Sequence, residues 1–176
     1  APDNILIAAI HTHSGPYTYD CPGWGSVDMT YCDNILIPQA VAAADEALST
    51  LSPADVGCGT VQSDIGINRR QYGPDGLVDF GQNPWGQHDP EMTVLSFRGE
   101  DNRPIANLVH YSAHATAAGT NHEITRDWPG PMIDRLDAES GAVTLFFNGA
   151  AGDVGPHLTN GETKGDIRYV EELGAV

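Results

Sequence analysis

The feature that most constrains this chain is a short apolar run that ends on two histidines. Asn4-Ile-Leu-Ile-Ala-Ala-Ile10 is rich in β-branched residues, and His11-Thr-His13 follows it directly. Seven such residues are too few for a stable helix and suit a strand buried on both faces. In open α/β sheets, ligands bind beyond the carboxyl ends of the strands. The reading therefore places two imidazoles at a functional edge. On an extended segment, side chains at i and i+2 point the same way, so His11 and His13 face one side. Neutral imidazoles binding a divalent metal would explain that pattern. A loop cap beside a surface histidine would also explain it.

Further runs fill in the sheet. Val56–Ser63 reads as a strand, and Asp64–Pro90 as loop. Met92–Arg98 and Ile105–His114 flank a Gly-Glu-Asp-Asn-Arg-Pro turn and form a hairpin. Ala142–Phe147 is another buried strand. Between them, Asp33–Leu51 predicts a helix capped by Asp33 or Asn34. Val41, Ala44, Ala47, Leu48 and Leu51 lie on its buried face, and Pro38 fits only in the first turn. A second helix starts at Asp127-Trp-Pro129, with Asp127 as its cap and Met132, Ile133 and Leu136 inward. A third begins near Tyr169. The fold class that follows is α/β, a mixed sheet with flanking helices. A core strand at one end and a helix start at the other make residues 1–176 a piece of a single larger domain, cut at both ends.

Charge narrows the partners. Against 24 Asp and Glu stand 8 Lys and Arg, a formal charge of −16, which argues against nucleic acid and against anionic membranes. The three cysteines form no CxxC pair. Cys21 and Cys32 could close a loop by a disulfide or remain free, and Cys58, between glycines, reads as a small buried residue.

His110 and His114 form a second histidine group, aligned whether the segment is strand or helix. His110 fits a hydrogen-bonded core position, and His114, nearer the strand end, is the better metal ligand. Asp127 and Asp153 could each orient a ligand imidazole. Arg69 could stabilise an oxyanion or make a surface ion pair. His-Glu-x-x-His and Gly-x-Ser-x-Gly are both absent, as is a phosphate loop.

Taken in order, these segments resemble the catalytic domain of the neutral/alkaline ceramidases. The matching stretches are Asn4–Pro16 with His11-Thr-His-Ser-Gly-Pro16, Ile67-Asn-Arg-Arg70, Met92–Phe97, His114-Ala-Thr116, Asp127-Trp-Pro-Gly130 and Asn148–Pro156. The resemblance implies one Zn2+ held by His11, His114, and a glutamate and a tyrosine from the remainder of a longer parent chain. It places His13 and Arg69 beside the scissile amide and implies an N-acyl lipid substrate in a secreted or periplasmic enzyme. Where the family carries a serine once proposed as nucleophile, this chain has Gly149, which favours a metal-activated water. The Tyr17–Cys32 stretch also departs from the family pattern, so amidase chemistry is better supported than ceramide itself. The competing readings are a non-catalytic binding or structural module and a metal hydrolase of another ester or amide.

Overall fold

The computed structural model describes residues 4–175. The chain divides into two compact units, one of residues 1–7 and 15–53 and the other of residues 8–14 and 54–176.

The first unit is helical. Helix α1 (Met29–Tyr31) opens on Asp28, whose carboxylate accepts from the Tyr31 N–H at 2.9 Å. It runs through a π-helical turn, Cys32–Leu36, into α2 (Ile37–Ser49). The predicted helix is there, but it starts earlier and its cap is Asp28 rather than Asp33 or Asn34. Pro38 sits at the start of α2, directly after the wide turn. A proline lacks the N–H that a regular turn would use, and a π-turn relaxes the ladder where that donor is missing. The apolar stripe of α2 is exposed, contrary to expectation: Val41, Leu48 and Leu51 are all open to solvent. Helical periodicity marks a face able to be buried, and among the described residues nothing buries it. Cys21 and Cys32 are free thiols.

The second unit holds the sheet. Strands β1 (Asp55–Gln62), β5 (Glu91–Arg98), β6 (Pro104–Tyr111) and β7 (Val143–Asn148) lie in that order. The first three are antiparallel, and β6 pairs with β7 in parallel. Helix α3 (Pro129–Ser140) makes the β6-to-β7 crossover and ends on Gly141, whose φ of 69° gives the left-handed residue that stops a helix. Short strands β2 (Gly66–Asn68), β3 (Arg70–Tyr72) and β4 (Val78–Phe80) replace the expected loop, with β2 pairing to β8 (Val154–Pro156) and β3 to β4. Helix α4 (Ile167–Gly174) is capped by the Asp166 carboxylate.

The core lies on one face of this sheet. Val109 and Tyr111 of β6 and Phe146 of β7 point into it, while Val143 and Leu145 face outward. Trp128 stands at the centre with no exposed surface, its ring edge-on to Tyr111 at 6.2 Å and to Phe146 at 5.1 Å. Met132 is buried against the same group, and Ile133 and Leu136 pack at its margin, as the helix pattern predicted.

Two further expectations fail. Asn4–Ile10 forms no strand and its Leu6 and Ile7 are exposed. An apolar run becomes a strand only where a neighbour completes its hydrogen-bond ladder, and among the described residues none pairs with it. Cys58 is exposed because β1 is an edge strand with both faces open. No helix among the described residues is long and apolar enough to cross a membrane.

Trp128→Ala is expected to cost about 3–5 kcal/mol, since it empties the middle of the core. Urea denaturation measures this, with exposed Trp85→Ala as the control expected to shift stability by under about 0.5 kcal/mol.

Candidate metal centre

Three histidines meet beyond the carboxyl ends of the parallel pair β6 and β7. Strand β6 stops at Tyr111, so His114 lies in the loop after it, and Gly149–Asp153 follows β7. His110 remains in β6 and is exposed, not a core histidine, so it does not share His114's surroundings. The nitrogens of His11, His13 and His114 all lie within 4.8 Å of one another. Ring centroids are 4.7 Å apart for His11 and His13 and 4.9 Å for His11 and His114. His88, His122 and His157 are not in this group.

The approach of His11 and His13 does not come from a strand. His11 has φ 62°, a left-handed conformation uncommon for a residue with a side chain. The turn it makes brings the His11 and His13 Nε2 atoms to 3.1 Å. Hydrogen bonds then fix the segment: Thr12 Oγ1 donates to the Thr125 carbonyl at 2.8 Å, Thr125 N–H donates to the Ser14 carbonyl at 2.9 Å, and His13 N–H donates to the Ala115 carbonyl at 3.4 Å. Ser14 Oγ accepts from Asn121 Nδ2 at 3.0 Å.

His114 is held from both sides. Its N–H donates to the Val154 carbonyl at 3.0 Å, and its own carbonyl accepts from Trp128 Nε1 at 3.1 Å. Its Nδ1 is 2.5 Å from the Ala151 carbonyl oxygen. Its Nε2 is 3.1 Å from Arg69 Nη2. A guanidinium only donates, so Nε2 must be the bare nitrogen and Nδ1 must carry the proton. That tautomer leaves Nε2 as an electron-pair donor, whose partner here is Arg69 Nη2. Burial first, and then the Arg69 charge, push the His114 pKa down from 6.5 to about 4, although the Ala151 bond opposes this. Burial first, then the His11 and Arg69 charges, also lower His13.

Asp127 acts differently from both roles considered for it. It is wholly buried and has φ 55°. Its carboxylate accepts from the Ala117, Ala118 and Trp128 N–H groups at 2.8–2.9 Å. It is neither the helix cap nor the partner of an imidazole. Instead it clamps the loop that carries His114. The Asp153 carboxylate makes no bond to a histidine either, and its backbone carbonyl accepts from Arg69 N–H at 2.8 Å. The partner of the His114 imidazole is a backbone carbonyl, Ala151 O, which no side-chain pattern could signal.

Arg69 reaches the site because β2 pairs with β8. Ile67 lies opposite Gly155, and a Cβ at Gly155 would come 3.3 Å from Arg69 Cδ, so glycine leaves room for the arginine stem. Arg69 Nε and Nη2 both donate to the Gly152 carbonyl, at 3.2 and 3.0 Å. At Gly149, a Cβ would fall 2.2 Å from Ser112 Oγ and 2.8 Å from His110 Nε2. A serine there would need those side chains to move.

The donor set suits a borderline metal. Zinc takes imidazole nitrogens at about 2.0–2.1 Å in a tetrahedral shell, which sets two ligands on one ion roughly 3.4 Å apart. From separations of up to 4.8 Å the cluster must draw together by up to about 1.4 Å. A histidine cluster of this size could hold a metal ion.

A test of the electrostatics follows from His114. Its pKa is lower folded than unfolded, so the unfolded chain binds a proton between pH 6.5 and about 4 that the folded chain refuses. The stability it contributes is complete above pH 6.5 and is lost as pH falls toward 4. In chelator-treated protein, the unfolding free energy should fall over that interval by up to about 3 kcal/mol more for wild type than for His114→Gln.

No protein-family model matches the sequence. Among curated proteins, a neutral ceramidase from Pseudomonas aeruginosa is 27% identical over 174 residues, covering 89% of this chain and 25% of that protein. The crystal structure of neutral ceramidase from Pseudomonas aeruginosa superposes with a TM-score of 0.71 at 23% identity, over 96% of this chain and 29% of that one. A ceramidase complexed with C2 superposes with a TM-score of 0.75 at 24% identity, over 96% and 28%. By sequence and by fold, the chain is a relative of the neutral ceramidases and spans about a quarter of their length.

Proposed function

We propose that the chain forms part of a single zinc-dependent hydrolase domain that cleaves the N-acyl linkage of ceramide or a related N-acyl lipid. The observation that carries this reading is the convergence of His11, His13 and His114, one ring nitrogen of each lying within 4.8 Å of the others. The relationship to neutral ceramidase supports a hydrolase that acts on ceramide-like amides.

His11 and His114 would hold the metal, with His114 Nε2 exchanging its Arg69 partner for the ion, and the remainder of a longer parent chain would complete its ligands. The chemistry that a zinc ion supplies when bound is polarisation of a carbonyl and acidification of water. His13, less basic than an ordinary histidine, is neutral at pH 7 and can accept a proton there. It then returns that proton to the departing amine, which must leave neutral. Arg69 has donors left over after bonding Gly152 and His114, and these can meet the oxygen that gains negative charge as the amide carbon becomes tetrahedral. The ceramidase resemblance favours an extracellular setting, and the enzyme is proposed to be secreted or periplasmic.

A serine nucleophile is disfavoured. Gly149 has no hydroxyl, and Ser14 Oγ is engaged by Asn121. In the full-length enzyme, His11→Ala should lower fatty-acid release from an N-acyl sphingosine by at least about 100-fold, because metal binding and carbonyl polarisation are lost together. Ser14→Ala removes one hydrogen bond of about 1 kcal/mol and should cost under about tenfold. Equal losses with zinc content intact would restore the serine route.

A further inference from the structure

Arg69 and Arg70 stand apart from the other cations. Both place their guanidinium carbons over the Phe80 ring, at 4.9 and 5.1 Å from its centroid. Both also donate to one acceptor, the Gly152 carbonyl, with Arg70 Nη2 at 3.3 Å. Two like charges are thus held side by side. Among the described residues, Arg126, Arg135 and Arg168 each pair with a carboxylate, at Asp134, Glu139 and Asp166. Arg69 and Arg70 do not, nor do Arg98, Arg103 and Lys164; what sets Arg69 and Arg70 apart among the described residues is the ring and the carbonyl they share. Arg70 is exposed and uses one of its five side-chain N–H donors in these contacts, which leaves four for a ligand.

Unneutralised paired guanidiniums are the usual recognition element for a carboxylate or phosphate. Arg69 Nη2 touches His114 Nε2, so it belongs to the histidine end of the site, and Arg70 Nη2 joins it at the Gly152 carbonyl. We propose that this pair is an anion subsite, in which Arg70 binds the carboxylate of an N-acyl amino acid while Arg69 faces its amide. In such a compound the carboxylate is one carbon from the amide nitrogen, which matches two cations that share a single carbonyl. The inference rests on the hydrolase reading and names its substrate class: lipid amides whose amine portion carries an anion next to the cleaved bond. Across the rest of its surface a chain of charge −16 repels anions, so a preference for one must come from a local site.

Calorimetric titration of chelator-treated protein with N-octanoylglycine and with neutral N-octanoylglycinamide, beside an assay of amide hydrolysis by the zinc-loaded enzyme, tests this. The protein should bind the carboxylate at least about tenfold more tightly than the amide, and Arg70→Gln should remove that difference. Arg70→Lys keeps the charge without the planar fork and should retain part of it. Far-UV circular dichroism checks that each variant is folded. Equal binding of the two compounds by the wild type overturns the proposal. So does an Arg70-dependent affinity for octanoate with none for N-octanoylglycine, since the subsite would then serve the acyl product. Carboxylate preference without amide hydrolysis would sink the hydrolase reading alone. Hydrolysis of neutral amides without carboxylate preference would sink the subsite alone.

Discussion

The bond between His114 Nδ1 and the Ala151 carbonyl governs the site. It fixes which imidazole nitrogen carries the proton, and so leaves Nε2 as an electron-pair donor. A flipped tautomer would point an N–H at Arg69, and the cluster would repel cations and guanidinium alike. The carbonyl can do this because Ala151 lies in the turn between β7 and β8, and β8 is anchored on both sides. Val154 accepts from His114 N–H, and β2 pairs along its other edge. One three-residue strand therefore sets the positions of His114 and Arg69 together.

Backbone and core share the remaining work. Asp127 gathers three N–H groups around a buried carboxylate and keeps residues 117 and 118 in place. An unpaired buried carboxylate would be costly, whereas one satisfied by backbone donors makes a rigid corner. Trp128, next in sequence, fills the core and bonds the His114 carbonyl with its indole N–H. Core packing and ligand placement are thus coupled through adjacent residues. His11 contributes the opposite device, a left-handed backbone residue held by the ties of Thr12 and Ser14 to Thr125.

Much of this was legible in the sequence where the signal is local. The hairpin of β5 and β6, strand β7, helix α3 and its inward Met132 follow from period and turn residues. The ordered motifs singled out His11, His13, His114 and Arg69, and these four side chains do lie together. What was not legible depends on partners distant in the chain. Ile5–Ile10 has a strand's composition without a strand's neighbour, and α2 has a buried helix's stripe without anything over it. Asp127 looked like a helix cap because caps and loop clamps use the same residue type. The short strands β2 and β8 were hidden among glycines and prolines, yet they join the Ile67–Arg70 and Asn148–Pro156 motifs.

The central claim is that His11 and His114 are metal ligands, with His13 beside them as a proton carrier. Zinc affinity, measured by competition with a chromophoric chelator across single alanine variants, addresses it most directly. The account predicts that His11→Ala and His114→Ala each weaken zinc binding by at least about 100-fold, while His13→Ala changes it by under about tenfold. Zinc affinity that survives the loss of His11 or His114, or that collapses equally with His13, would contradict it.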